Sequence, residues 1–87
     1  MTGRRYVDAY SSKHTFRVMI RREFINRCAI CGWDEASNDV AHIVARKDGG
    51  SDTAENIVML CPNHHRLFDT GRISVDQVRT ARANCLP

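Results

Sequence analysis

Two short pairs of metal-binding residues constrain this chain more than anything else in it: Cys28-Ala-Ile-Cys31 and Cys61-Pro-Asn-His64. A gap of two residues lets one turn aim both donors of a pair at a single ion. Closed zinc sites use such pairs, with Zn–S near ~2.3 Å and Zn–N near ~2.0–2.1 Å in a tetrahedron. The spacing therefore predicts a structural Zn²⁺ held by Cys28, Cys31, Cys61 and His64, which pins both ends of the segment between them. A lone Cys-x-x-Cys would equally suit a redox pair, but Cys61 and His64 give the thiols a better use.

A chain of 87 residues has reason to need such a staple. It is read as one domain over 1–87, close to the size at which a hydrophobic core alone seldom gives comfortable stability. No apolar signal-peptide core opens it and no run reaches transmembrane length, so a cytoplasmic, intracellular protein with no membrane partner is expected and disulfides are not. Cys85, without a partner at ligand spacing, is read as a plain free thiol.

Along the chain, residues 1–12 show no periodicity and read as a loose arm. Phe16, Met19, Ile20 and Phe24 fall at helical spacing with Arg17, Arg21 and Arg22 on other faces, predicting an amphipathic helix over 14–27 with a basic side. Val40-Ala-His-Ile-Val44 is β-branched and reads as a strand with Val40, His42 and Val44 on one side. Asp52-Thr-Ala-Glu55 has the shape of a capping box and predicts a short helix through Asn56-Ile-Val-Met-Leu60. Pro62 then opens a helix over 63–70 closed by Gly71, and Ser74-Val-Asp-Gln77 starts a last one.

Charge is unevenly spread. Residues 1–31 carry seven Lys/Arg against two acids, 32–69 carry three against seven, and 70–87 carry three against one, hence +5, −4 and +2. Basic flanks around an acidic centre suit a polyanion gripped from outside while carboxylates hold cations. A solvated helix face would look the same by charge alone.

Once His64 is assigned to zinc, His42, Asn56, His65 and Asp69 are left. His65 and Asp69 stand four apart on one predicted helix, so they share a face and can grip one ion. Two protein ligands leave positions open for water and phosphate oxygens, as a catalytic metal requires. His42, on the strand, could reach the same cleft as a general base.

His42, Asn56 and His65, in that order on strand, connecting segment and helix, resemble the His-Asn-His motif of the HNH endonucleases, the ββα-metal or His-Me finger nucleases. The surrounding Ala-His-Ile-Val, Asp-Gly-Gly and Glu-Asn-Ile-Val-Met-Leu-Cys-Pro-Asn-His-His-Arg-Leu-Phe-Asp-Thr-Gly extend the resemblance over residues 28–75. It implies an α+β fold: a small ββα-metal core with zinc knuckles, flanked by an N-terminal and a C-terminal helix outside the motif. It also implies hydrolysis of double-stranded DNA to 5′-phosphate and 3′-hydroxyl ends, with His42 activating water. His65 and Asp69 would hold Mg²⁺ or another divalent ion such as Mn²⁺ or Ni²⁺, and Asn56 would tie the connecting loop to the strand. Candidate DNA contacts are Arg17, Arg21, Arg22, Arg46, Lys47 and Arg66.

One departure stands out. Many relatives carry Asp or another ligand just before the first His, where this chain has Ala41, so the ion has fewer protein ligands; Asp39 falls on the opposite side of the strand and is not counted. The competing reading is a zinc-stabilised DNA-binding module without activity. Homodimerisation, or membership of a larger restriction, homing or phage-packaging system, is compatible with either.

Overall fold

The computed structural model describes residues 13–87; the arm expected over 1–12 lies outside them. Helix α1 (Lys13–Glu23) is followed by an antiparallel hairpin of β1 (Asp39–His42) and β2 (Ile57–Leu60), then helices α2 (Pro62–Asp69) and α3 (Val75–Ala81). The chain is thus a ββα unit between two flanking helices. Short 3₁₀ turns at Arg46–Asp48, Ala54–Asn56 and Arg82–Cys85 fill the connections.

β2 corrects the sequence reading, which made Asn56–Leu60 a helix. The helical segment stops after one 3₁₀ turn, and its N-cap residue is Thr53, with no side-chain cap bond. Ile57, Val58, Met59 and Leu60 are instead extended and all buried, paired in register with His42, Ala41, Val40 and Asp39. Burial on both faces erases the alternation by which a strand is recognised. Around β2 the core gathers Met19 and Phe24 from the α1 end, Ala41, Ile43, and Val78 and Cys85 from the C-terminal region. Full burial of each large aliphatic side chain stabilises by about 1.5–3 kcal/mol.

The remaining ends follow their local chemistry. α1 stops at Glu23, short of Arg27, as Asn26 turns its side chain to the Ala36 carbonyl and the Asn38 amide. Pro62 occupies the first turn of α2, and Gly71 takes a φ of +79° just past its end. Ser74 and Gln77 form a reciprocal capping box at α3. Arg82 fastens the C-terminal segment to the sheet, donating to the Ile57 and Ala54 carbonyls while its guanidinium lies 5.5 Å from the Phe24 ring centre.

Topology positions the site. Asp39 pairs with Leu60 at the end of the sheet from which α2 departs, whereas His42 pairs with Ile57 at the far end. An eight-residue helix rises about 12 Å, close to the length of β1, so α2 can place His65 beside one end of the strand and Asp69 toward the other.

Candidate functional site: a zinc base and a histidine cleft

Both knuckles are shaped by their backbone. In the first, Cys28 N–H donates to the Trp33 carbonyl and Gly32 N–H to that of Cys28, with Gly32 at φ +80°. Only a residue tolerant of positive φ closes that turn cheaply. In the second, Cys61 is the N-cap of α2, and its sulfur accepts from His64 N–H. The donor atoms of Cys28, Cys31, Cys61 and His64 all lie within 4.8 Å of one another.

Individual separations are 3.9 Å for Cys31 Sγ to Cys61 Sγ, 3.7 Å for Cys28 Sγ to His64 Nδ1 and 3.2 Å for Cys61 Sγ to His64 Nδ1. The edges of a tetrahedron around Zn²⁺ with ordinary bond lengths are about 3.5–3.8 Å. The four residues therefore fit a tetrahedral zinc ion, and all four cysteines of the chain are free of disulfides. Burial would push the Cys28 thiol up, yet backbone hydrogen bonds at Cys61, Cys31 and Ile30 outweigh it and bring Cys28 down to about 6. Cys31, despite its backbone bond at Trp33, is pushed up by burial and by the neighbouring sulfurs. Crowded thiols that resist joint ionisation are what a divalent cation relieves. Cys85 stands apart, wholly buried, its thiol raised by desolvation and donating to the Arg82 carbonyl.

His42 occupies the last position of β1, its ring stacked nearly parallel on Phe16 of α1 at 8° and 6.0 Å between centroids. Its Nε2 lies 2.7 Å from Asp52 Oδ1, and the same oxygen accepts from Arg46 Nε at 2.9 Å. The His42 bond, against the cost of burial and with help from Arg46, holds the Asp52 carboxyl below its ordinary range. An ionised carboxylate only accepts, so the short contact requires Nε2 of His42 to be the donor.

His65, half-buried on α2, stands between two carboxylates. Nδ1 lies 2.9 Å from Asp39 Oδ2, and Nε2 lies 3.7 Å from Asp69 Oδ2. Asp39 thus faces His65, although strand alternation had set it aside. It sits opposite Leu60, where the chain turns into α2, so the helix brings His65 back over it. A histidine bound to a carboxylate through one nitrogen offers the other as a ligand. Asp69 and His42 line one cleft of about 530 Å³, with Val44, Lys47 and Phe68 also in its wall.

The connecting loop is fastened by Asn56. Its side-chain oxygen accepts from Val44 N–H at 2.8 Å, and its amide donates to the Val44 and Ser51 carbonyls at 2.9 Å each. Gly50 lies against this clasp: a Cβ there would collide with the Val44 carbonyl and come within 2.9 Å of that of Ala45. Among the expected DNA contacts, Arg46 is engaged by Asp52, which also leaves Asp52 without the N-cap role expected of it. Arg17 and Arg21 line a separate groove with Phe16, Ile20 and Val40, and Arg22, Lys47 and Arg66 are exposed.

Asp39, Asp52 and the Phe16–His42 stack are site features that sequence reasoning missed. Asp52 is ten residues from His42 across an irregular loop, and no periodicity links them. Comparison with known families matches residues 28–76, more than half of the 87, to the family described as HNH endonuclease. No curated protein and no solved structure matches the chain.

Proposed function

Because the chain belongs to the HNH endonuclease family, we propose that it is a divalent-metal-dependent DNA endonuclease that hydrolyses phosphodiesters to 5′-phosphate and 3′-hydroxyl ends. The observation that carries this reading is that His42 and Asp69 share the walls of one cleft, with His65 Nε2 next to Asp69.

His42 is the general base. With its Nε2 proton committed to Asp52, Nδ1 takes a proton from water as that water attacks phosphorus. His65, through Nε2, and Asp69 would hold the cation, and Asp39 keeps His65 turned the right way. A divalent ion such as Mg²⁺, Mn²⁺ or Ni²⁺ held there would supply charge stabilisation for the phosphate and the departing 3′ oxygen. Asn56 is a positioning residue: it fixes the loop that carries Asp52. Lys47 in the cleft wall, with Arg17, Arg21, Arg22 and Arg66, contacts phosphates of the duplex. Arg46 acts through Asp52 first.

The test is cleavage of supercoiled plasmid by the zinc-loaded protein with each of the three cations, for wild type and His42→Ala. Cutting by wild type alone is expected, and nicked versus linear product reports whether one strand or both are cut. Equal cutting by both proteins, or none with any cation, sinks the reading. One observation favours the runner-up, a zinc-stabilised DNA-binding module: Ala41, buried at 2 % exposure, offers no donor at the position where many HNH proteins carry one. DNA binding that survives Asp69→Ala, with no nicking, would establish it.

A further inference from the structure

The endonuclease reading asks for a base aimed in one direction, and the loop from Arg46 to Asp52 contains the means. Two contacts fix the His42 imidazole and a third holds its partner. Phe16 stacks on its face, Asp52 Oδ1 lies 2.7 Å from its Nε2, and Arg46 Nε donates to the same carboxylate oxygen at 2.9 Å. The imidazole is mostly buried, with 17 % of its side chain exposed, and Asp52 has 23 %. A hydrogen bond to a charged acceptor in such partial shelter is among the stronger kinds. The loop is itself held, by the Asn56 amide on the Ser51 carbonyl and by Gly50, whose position admits no Cβ.

We propose, resting on the endonuclease reading, that Asp52 is the positioning residue for His42: by accepting the Nε2 proton it selects the tautomer whose Nδ1 lone pair faces the cleft, with Arg46 anchoring the carboxylate. No bond to substrate passes through Asp52. During the reaction Nδ1 gains the proton of the attacking water, and the imidazolium so formed, protonated on both nitrogens, keeps its Nε2–H on Asp52. The carboxylate remains ionised throughout and opposes the new charge.

The tautomer can be read without any activity. In ¹⁵N-labelled, zinc-loaded protein, long-range proton–nitrogen spectra of the His42 ring distinguish protonated from unprotonated nitrogens. Wild type is expected to show Nε2 protonated and Nδ1 bare almost exclusively; in Asp52→Ala the preference relaxes toward the mixture of a free neutral imidazole, which itself leans to Nε2–H, and Asp52→Glu restores it. On an oligonucleotide duplex, Asp52→Ala should lower kcat by about 100-fold or more with KM within about two-fold, Asp52→Glu recovering part of it. Zinc content and melting temperature, measured on each variant, establish that the fold is kept. A wild-type spectrum with Nδ1 protonated, or Asp52→Ala with tautomer and kcat unchanged, overturns the proposal. Absence of cleavage by wild type would instead count against the endonuclease reading, and the spectrum would still decide the role of Asp52.

Discussion

The zinc base and the histidine cleft are built from adjacent residues of one helix, yet they differ in how each donor is satisfied. At the base, four donors converge within 4.8 Å and their supports are backbone amides, so the site is closed on itself. At the histidine site, each imidazole is held through one nitrogen by a carboxylate from another stretch of chain, Asp52 for His42 and Asp39 for His65, and the second nitrogen of His65 is turned to Asp69 at the cleft wall. Convergence serves stability; a histidine with one nitrogen tied and one presented serves exchange with ligands and protons. The contrast implies that damage to the two sites should look different.

The largest effect should come from the base. Structural zinc contributes about 10–16 kcal/mol in small zinc domains, comparable to the whole stability of a domain, about 5–15 kcal/mol. Chelation, or Cys61→Ser, should abolish cooperative thermal unfolding by circular dichroism, and re-addition of Zn²⁺ should restore it to the chelated wild type. The comparison breaks if the apo protein melts as the loaded one does.

His42→Ala should do the opposite. Cleavage should fall by about 10²–10⁴-fold with zinc stoichiometry at one per chain and an intact cooperative melt. Asp39→Asn sharpens the contrast within the cleft. Loss of a carboxylate behind a metal-binding histidine typically weakens metal affinity about 10–100-fold, so Mn²⁺ titration should weaken by that factor while zinc remains bound. Unchanged Mn²⁺ affinity would mean that His65 needs no partner.

Acidification gives the smallest effect. Asp52 has its carboxyl held below its ordinary value of 3.8 by His42 first and Arg46 next. A depressed acid stabilises the fold fully above its unfolded value and loses that contribution as pH falls through its folded one. Wild type should therefore exceed Asp52→Asn by about 1 kcal/mol in stability near neutrality, and the gap should close only below about pH 4. Thermal melts of both proteins from neutrality to below that pH measure it; a gap that stays undiminished below it contradicts the sign.

How much of this was legible in the sequence follows from the range of the interactions. The zinc donors were legible because each pair sits on one turn, and Pro62, Gly71 and the Ser74–Gln77 box because capping is local. The fold class followed from the resemblance, and the family match covers the same stretch. Ile57–Leu60 misled because its strand identity lies in the partner: only pairing with Asp39–His42 distinguishes a buried strand from a buried helical turn. Asp39 was discounted by a correct statement about alternation that omitted α2 coming back over the strand. Asp52 was assigned to a cap because local chemistry offered one, whereas its partners stand six and ten residues back along the chain.

His64 and His65 are neighbours on α2, one turned to the zinc base and the other to the cleft. Because one helix carries both, loss of metal at the base should carry competence at the other face away with it. In a preparation half-filled with zinc, the population should divide into two kinds of molecule, fully able and wholly unable, and not into one kind with half its activity. The zinc content of a sample would then count its working molecules one for one.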